Sequence, residues 1–466
     1  MIEFILNNEK TQTDLSPGMT LLDFVRYEAN LRGTKIGCRE GDCGACTVLL
    51  GKLADQKLEY ISATSCLTPL ANVHGMHVVT IEGLNIEGLN AIQKAFVDCS
   101  GTQCGFCTPG FVTSLCGYAL NCETPDTKGA IGSMDGNICR CTGYKSIERA
   151  AALVAEKLQE KDQVQSLKWL ADEHFIPSYF ENIPEKLHQL SPKPVVQGEK
   201  AIGGGTDLFV HHQDMLQESS LNFLFRKKEL SGIEFSDSEC IINASSTATD
   251  LIENKRLQSI FPGWHSFMKL VSSTPIRNIG TVAGNLVNAS PIGDLTILLL
   301  GLNASITLSE NDIQTRTLAL RDFYLGYKKL DKKDTEIISE IRFDLPVEDS
   351  NFNFEKVCKR TYLDIASVNT AMQIKLSDHS SILEVHCSMG GVGPIPMYLK
   401  NTIEFLKGKD LSAELIAEAG DILQFEISPI TDARGSAEYK RLLARQLFFS
   451  HFHSMFPDVI KLEDLL

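Results

Sequence analysis

Thr102-Gln103-Cys104-Gly105-Phe106-Cys107-Thr108-Pro109-Gly110 opens, and Gly136-Asn137-Ile138-Cys139-Arg140-Cys141-Thr142-Gly143-Tyr144 closes, the stretch on which the reading of this chain turns. Four soft thiolates in two tight pairs complete a tetrahedral shell, which suits iron-sulfur chemistry or zinc and little else. Spacing alone leaves both open. One isolated Cys-x-x-Cys is as readily a redox-active or simply buried pair of thiols; two pairs bracketing one segment resist that explanation. Pro109 suits the first turn of a helix, and Phe111, Val112, Leu115 and Ala119 follow at helical spacing. Ser146 suits the cap of a second helix, with Ile147, Ala150, Ala151, Val154 and Leu158 on one side. Two helix starts then face one site and, with Arg140, favour a centre that carries net negative charge.

A second cysteine pattern lies upstream, in Gly37-Cys38-Arg39-Glu40-Gly41-Asp42-Cys43-Gly44-Ala45-Cys46-Thr47-Val48, with Cys66 after nineteen more residues. Cys-x4-Cys-x2-Cys and a distant fourth cysteine is the plant-type 2Fe-2S spacing. Zinc motifs favour two symmetric halves, and this is three plus one. Gly37, Gly41 and Gly44 permit the tight backbone that aims N–H groups at cluster sulfurs, bonds that stabilise negative charge there. Ahead of the loop, Ile2 to Leu6 reads as a strand, Asn7-Asn8 as a turn, and Thr20-Leu21-Leu22-Asp23 as the capped start of a short helix carrying Phe24 and Val25.

Residues 1 to about 80 resemble a plant-type ferredoxin domain, and the segment from Cys104 to Cys141 resembles the helical 2Fe-2S domain of the molybdenum hydroxylases, the family of xanthine dehydrogenase and aldehyde oxidase. The resemblance implies one cluster on Cys38, Cys43, Cys46 and Cys66 and another on Cys104, Cys107, Cys139 and Cys141.

The chain has 466 residues, 43% of them hydrophobic, and a formal charge of -15. At about 150 residues per domain that length implies roughly three domains. The acidic balance argues against a nucleic-acid partner, which needs a concentrated basic patch. Met1-Ile2-Glu3-Phe4 lacks the basic and apolar run of a secretory signal. No apolar run approaches the ~20 residues of a membrane span, and Leu295 to Leu302 reads as a buried strand or helix. The expectation is a cytoplasmic protein without membrane or nucleic-acid partners, whose fourteen cysteines are thiols or ligands instead of disulfides. Cys99, Cys116, Cys122, Cys240, Cys358 and Cys387 lie outside the ligand spacings and read as small buried hydrophobes. His211-His212, His451 and His453 lack partners at ligand spacing and read as ordinary side chains, and Arg226-Lys227-Lys228 as a solvated face.

From Glu156 to about Leu190 the sequence is charged and irregular, with Lys161-Asp162-Gln163 and prolines at 177 and 184, and it reads as a surface linker. Beyond it, Pro194-Val195-Val196 and Lys200-Ala201-Ile202 read as strands leading into Gly203-Gly204-Gly205-Thr206-Asp207-Leu208. Strand, glycine turn and helix is an arrangement that brings N–H groups against a pyrophosphate. The stretch matches neither a Rossmann fingerprint nor a P-loop. Gly280-Thr281-Val282-Ala283-Gly284-Asn285 and Ser290-Pro291-Ile292-Gly293-Asp294 add small residues, amides and a carboxylate able to bind phosphate, ribose and a ring edge.

Together the two stretches resemble the FAD-binding domain of the vanillyl-alcohol-oxidase type found in the same hydroxylase family. By that resemblance Ala201, Ile202, Gly203, Gly204, Gly205, Thr206, Asp207 and Leu208, with Thr281, Val282, Ala283, Gly284 and Asn285, hold the pyrophosphate. Asp294 holds the ribose side, and Asn288, Ile338 and Lys356 match further flavin contacts. Ala283 stands where the family often has a glycine. From about 352, strands at Ile374 to Leu376 and Ile382 to His386, a turn at Gly390-Gly391-Val392-Gly393-Pro394 and a helix around Leu442 to Leu447 resemble the family's small C-terminal domain.

The expected architecture is multidomain α+β. It comprises a β-grasp 2Fe-2S ferredoxin domain (1–83), a helical-bundle 2Fe-2S domain (84–160), a linker (161–190), an α+β FAD-binding domain (191–347) and a small α/β C-terminal domain (348–466). The resemblance implies a subunit that passes electrons from a molybdopterin cofactor in a large partner chain, through the helical-domain cluster and then the ferredoxin cluster, to FAD and NAD+, in an (αβ)2 heterotetramer. Three cofactors occupy these 466 residues, and the family's molybdopterin region needs several hundred more. No residue here is therefore expected to be catalytic toward the substrate. Both clusters and flavin on one chain favour the xanthine type over hydroxylases of aldehydes or other heterocycles. A standalone iron-sulfur flavoprotein carrier is the alternative from a different class.

Overall fold

The computed structural model describes residues 1–54, 57–190, 198–310, 314–347, 350–360, 362–378 and 380–465. The expected strand at Pro194-Val195-Val196 lies outside the described residues. The chain forms two compact units, Met1–Phe225 with Ser273–Gly280, and Arg226–Ser272 with Thr281–Leu466. No helix among the described residues is long and apolar enough to cross a membrane.

The first unit begins with strands β1 (Ile2–Leu6), β2 (Glu9–Thr13), β3 (Thr47–Ala54), β4 (Lys57–Thr64) and β5 (His77–Val79), joined in the order β2-β1-β5-β3-β4. The β1–β5 pair is parallel and the others antiparallel, giving a β-grasp sheet. Thr20 caps the helix Leu21–Asp23 by accepting the Asp23 N–H, and Phe24 and Val25 from the turn that follows pack with Phe4, Val48 and Val78 under one face.

The residues of β1 are all buried, so the opposite face of the sheet needs a cover as well. The cover comes from the segment expected to be a surface linker. Ile183, Leu187 and Leu190 pack on Ile5, and Tyr179 and Phe180 pack on the His77 ring. Pro177 precedes the 3-10 turn Ser178–Asn182 and Pro184 sits in the first turn of the helix Ile183–His188. The prolines therefore start elements, which is where their fixed φ is useful. Lys161 is buried too; its Nζ donates to the carbonyls of Ala119, Leu120 and Cys122 and so closes the end of the preceding long helix.

That long helix, Thr108–Asn121, runs beside Lys145–Leu158, and Phe111, Val112, Leu115 and Ala119 share one core with Ile147, Ala150, Val154 and Leu158. Ser146 is not the cap of the second helix. Gly143 and Tyr144 both adopt positive φ, so the chain swings into the helix two residues earlier, with Tyr144 at the cap position. Ser146 is then drawn into the buried first turn, and its Oγ has no partner among the described residues.

The rest of the first unit holds β6 (Lys200–Ile202) and β7 (Leu221–Phe223), paired in parallel. In the second unit, β8 (Ile233–Phe235), β9 (Glu239–Asn243), β10 (Ser305–Glu310), β11 (Gln314–Ala319) and β14 (Glu336–Asp344) form an antiparallel sheet in the order β11-β10-β14-β9-β8, with a hairpin of β12 (Tyr324–Gly326) and β13 (Lys329–Leu330) beside it. The apolar run near residue 295 is a helix, Asp294–Gly301, buried along nearly its whole length. Strands β15 (Ser350–Val357), β16 (Val368–Leu376), β17 (Ile382–Gly390) and β18 (Met397–Tyr398) make a second antiparallel sheet. The helices Lys400–Leu406, Ala413–Glu426 and Ala437–Met455 follow it, and their apolar residues join its core.

Candidate functional site

Cys38, Cys43 and Cys46 lie on the loop entering β3, and Cys66 lies just past β4. The thiols associate two by two. Cys38 accepts a hydrogen bond from Cys43, which, with the N–H groups of Glu40, Asp42 and Cys43, pulls it down to about 5 against the effect of burial. Cys46 is lowered by the Cys66 thiol, and Cys66 is raised by Cys46 and by burial. Around these sulfurs the backbone leaves no room for side chains. A Cβ on Gly37 would come within 2.6 Å of Cys43 Sγ, and Gly44, at φ +65°, would collide with the Gly136 carbonyl oxygen.

The second set repeats the pairing. Cys141 Sγ lies 3.6 Å from Cys104 Sγ, and Cys139 accepts from Cys107. Cys139 Sγ also receives the N–H groups of Cys141 and Thr142, each at 3.5 Å, and has Thr142 Oγ1 at 3.2 Å. Burial opposes ionisation of Cys139, yet these donors bring it below the usual thiol range; Cys107 is pushed up to about 12 by burial first. Cys104 and Cys141 are exposed, whereas Cys46 and Cys66 are buried.

A zinc site needs four ligands around one ion. A 2Fe-2S cluster has two irons with two thiolates each, and two thiol pairs per site, with N–H groups directed at the sulfurs, fit that demand. The two sets are joined by backbone. Ile138 N–H donates to the Cys43 carbonyl at 3.0 Å, and Asn137 Nδ2 donates to the Gly44 carbonyl at 3.0 Å while accepting from Ser114. Asn137 and Ser114 were not singled out from sequence, since only the fold brings them to Gly44.

The expected flavin residues divide between the units. In the first, β6 ends in Gly203-Gly204-Gly205 and the helix Leu208–His211 follows. A side chain on Gly204 would collide with the Ile279 carbonyl, and Gly205, at φ +86°, would place one 3.1 Å from the Leu67 carbonyl. Asn72 Nδ2 donates to the Gly203 carbonyl at 3.1 Å, and Ile202, Leu208 and Phe209 pack in one cluster with Cys46, Cys66 and Leu67. The N–H groups of Gly203 to Leu208 find no acceptor among the described residues, leaving a row of donors suited to an anion. Ala201 and Ile202 supply the strand beneath, Thr206 approaches Gly280, and Asp207 faces His211 at 3.9 Å.

In the second unit, Thr281 caps the helix Val282–Asn288. Its hydroxyl takes the Gly284 N–H, and the N–H groups of Val282, Ala283 and Asn285 go to Ser246, Ala244 and Thr281 carbonyls. This stretch therefore offers side chains and its helix end, with few free N–H donors. Asp294 is engaged on both oxygens, by Lys356 Nζ at 2.7 Å and Asn369 Nδ2 at 2.6 Å. Lys356 also reaches the carbonyls of Leu270 and Asp364. Asn285 accepts from Thr296 at 3.3 Å, Asn288 accepts from Lys328, and Ile338 is buried in one core with Val282 and Leu286. Asn369, far along the chain on β16, carries no local motif that could have marked it. Its buried Oδ1 has no partner among the described residues, so an unsatisfied acceptor is left over beside Asp294.

Residues 4–71 match the family of the 2Fe-2S iron-sulfur cluster binding domain, and residues 80–152 that of the [2Fe-2S] binding domain. Residues 174–346 match the FAD binding domain in molybdopterin dehydrogenase, and 354–455 the CO dehydrogenase flavoprotein C-terminal domain. The xanthine dehydrogenase of Emericella nidulans is 29% identical over 98% of this chain and 39% of its own length. Xanthine dehydrogenase 1 of Arabidopsis thaliana is 28% identical over 93% and 38%, and the xanthine dehydrogenase/oxidase of Rattus norvegicus 27% over 96% and 38%. The chain thus spans about two-fifths of the length of these relatives. Among solved structures, the carbon monoxide dehydrogenase from Hydrogenophaga pseudoflava that lacks the Mo-pyranopterin moiety shares the fold, with TM-score 0.52 and 24% identity over 56% of this chain and 90% of that one. With two 2Fe-2S domains, an FAD-binding domain and a flavoprotein C-terminal domain in this order, the chain belongs to the molybdenum hydroxylase family, as its iron-sulfur and flavin electron-transfer module.

Proposed function

We propose that this chain is the small subunit of a cytoplasmic xanthine dehydrogenase. It relays electrons from a molybdopterin cofactor on a large partner chain to NAD+, in the oxidation of hypoxanthine and xanthine to urate, within an (αβ)2 heterotetramer. The naming of the curated relatives supports the substrate. The observation that carries the relay is the packing of the glycine turn against the ferredoxin loop, where Gly205 meets the carbonyl of Leu67, the neighbour of Cys66.

When bound, the two clusters supply one-electron steps and the flavin joins them into a hydride. The residues do the holding and the spacing. Cys104, Cys107, Cys139 and Cys141 would hold the entry cluster, and Cys104, Cys141 and Phe106 are exposed, which leaves this loop accessible to a partner. Cys38, Cys43, Cys46 and Cys66 hold the second cluster, with Cys46 and Cys66 buried away from water and oxidants. The Ile138 N–H to Cys43 carbonyl bond fixes the distance between the two loops. Toward the flavin, the open N–H groups of residues 203–208 bind pyrophosphate. Thr281 to Asn285 position the helix end, and Asp294, oriented by Lys356 and Asn369, takes the ribose side. Asn288, Ile338 and Lys356 complete the contacts, and no residue of this chain acts on the substrate.

A second reading, the equivalent subunit of a hydroxylase for another substrate, draws on the CO dehydrogenase flavoprotein match at 354–455. Purification under native conditions with a large molybdenum-containing chain, and turnover of that complex with xanthine and NAD+, supports the proposal. Turnover only with an aldehyde or another heterocycle favours the second reading, and a self-sufficient monomer contradicts both.

A further inference from the structure

The cluster loop carries a non-glycine residue in left-handed conformation. Arg39, directly after Cys38, has φ +59°, a conformation that a side chain disfavours and that persists only where surrounding contacts impose it. The contacts are specific. Arg39 grips the Asp23 carboxylate with both terminal nitrogens, at 2.6 and 3.1 Å. Asp23 also accepts from Thr20 Oγ1 at 2.7 Å and from Gln213 Nε2 at 2.9 Å, so both oxygens are engaged. Its neighbour Leu22 packs against Cys46 and Cys66, and Leu22 N–H donates to the carbonyl of Ser65. Gln213 starts the helix Gln213–Glu218, which follows the glycine turn and the helix Leu208–His211. One carboxylate thus ties the cluster loop, the helix packed under the cluster thiols and the segment that carries the glycine turn.

A guanidinium beside a cluster of net negative charge favours the reduced state, and a carboxylate favours the oxidised one. Paired in bidentate geometry, the two charges nearly cancel. We propose that Asp23 and Arg39 are positioning residues that set the reduction potential of the cluster held by Cys38, Cys43, Cys46 and Cys66. In this arrangement Arg39 locks the loop while Asp23 prevents its charge from trapping the electron ahead of the flavin. The proposal rests on the ligand assignment above.

The test is a redox titration of the purified full chain, loaded with iron, sulfide and FAD, with each cluster followed by its own paramagnetic signal. Asp23→Asn leaves the Arg39 charge uncancelled and moves the midpoint of the ferredoxin-type cluster upward. Arg39→Gly, which suits the backbone angle, leaves Asp23 unpaired and moves it downward, and the double variant returns it near the starting value. The helical-domain cluster stays where it was in all three. A merely structural pair would lower stability in both single variants without shifts of opposite sign. Shifts of the same sign, or none, with both signals intact, would overturn the proposal, and Arg39→Gly alone decides the sign if Asp23→Asn does not fold. Absence of the ferredoxin-type signal from the unsubstituted protein would overturn the ligand assignment and the pair's role with it.

Discussion

A side chain at position 44 would run into the Gly136 carbonyl, and the backbone there sits at φ +65°. Gly44→Ala is therefore expected to lower stability by about 1–2 kcal/mol from the backbone alone, and by more as the two cysteine loops part. A thermal melt with iron content measured alongside checks it: both clusters should weaken together, and a loss confined to one would contradict the joint between them. Protonation gives a second prediction. Burial holds His77 and His451 down to about 3, from an ordinary 6.5, with His77 Nδ1 beside Tyr60 Oη and Nε2 beside the Asn7 carbonyl. Each is neutral when folded and takes up a proton near 6.5 once unfolded, so stability is full above that pH. It falls as pH drops toward 3, by about 1.4 kcal/mol per pH unit for each histidine. Denaturant unfolding across that range should show the slope, and His77→Gln should flatten it; an unchanged slope would place the sensitivity elsewhere. The cysteines were legible because their spacing is itself the chemistry. Asp23, Asn137 and Asn369 were not, because each matters only through a partner distant in the chain.

The segment from Ser166 to Leu190 shows where reading elements from sequence fails. Charge and prolines suggested a loose connection, yet Leu170, Phe175, Ile176, Phe180 and Ile183 are buried. Sequence periodicity is short there, because a helix of seven residues and a 3-10 turn present only a few apolar positions each. What decides the outcome is the opposite partner: β1 is buried on both faces, with Ile2, Phe4 and Leu6 on one and Ile5 on the other, and needs cover on each. Phe180→Ala is expected to cost about 3–5 kcal/mol, as for other buried aromatics, whereas a surface-linker position would change stability by less than ~0.5 kcal/mol. Chemical denaturation followed by tyrosine and tryptophan fluorescence separates the two. By contrast the long helices beside the cysteine pairs were legible, since Pro109 and fourteen-residue apolar periodicity speak locally. Only the start of the second was misread, because the positive φ of Tyr144 lies outside what a capping pattern encodes.

Across the whole molecule, cysteine spacing marked the two iron-sulfur modules and resemblance to a family supplied the flavin and C-terminal ones, while the way they are built could not be read. The flavin-type glycine turn, for example, belongs to the same compact unit as the ferredoxin sheet, although the sequence places more than a hundred residues between them. The glycine turn and the ferredoxin-type cysteines therefore share one unit, and the cofactor count is the sharpest test of the proposed relay. The central claim is that eight cysteines hold two clusters beside a flavin, and the most direct measurement is the iron, acid-labile sulfide, zinc and FAD content of the purified chain. The account predicts about four irons and four sulfides for each FAD, with Cys43→Ser losing half the iron and one of two paramagnetic signals. Stoichiometric zinc, or a protein with two irons or none, would contradict it.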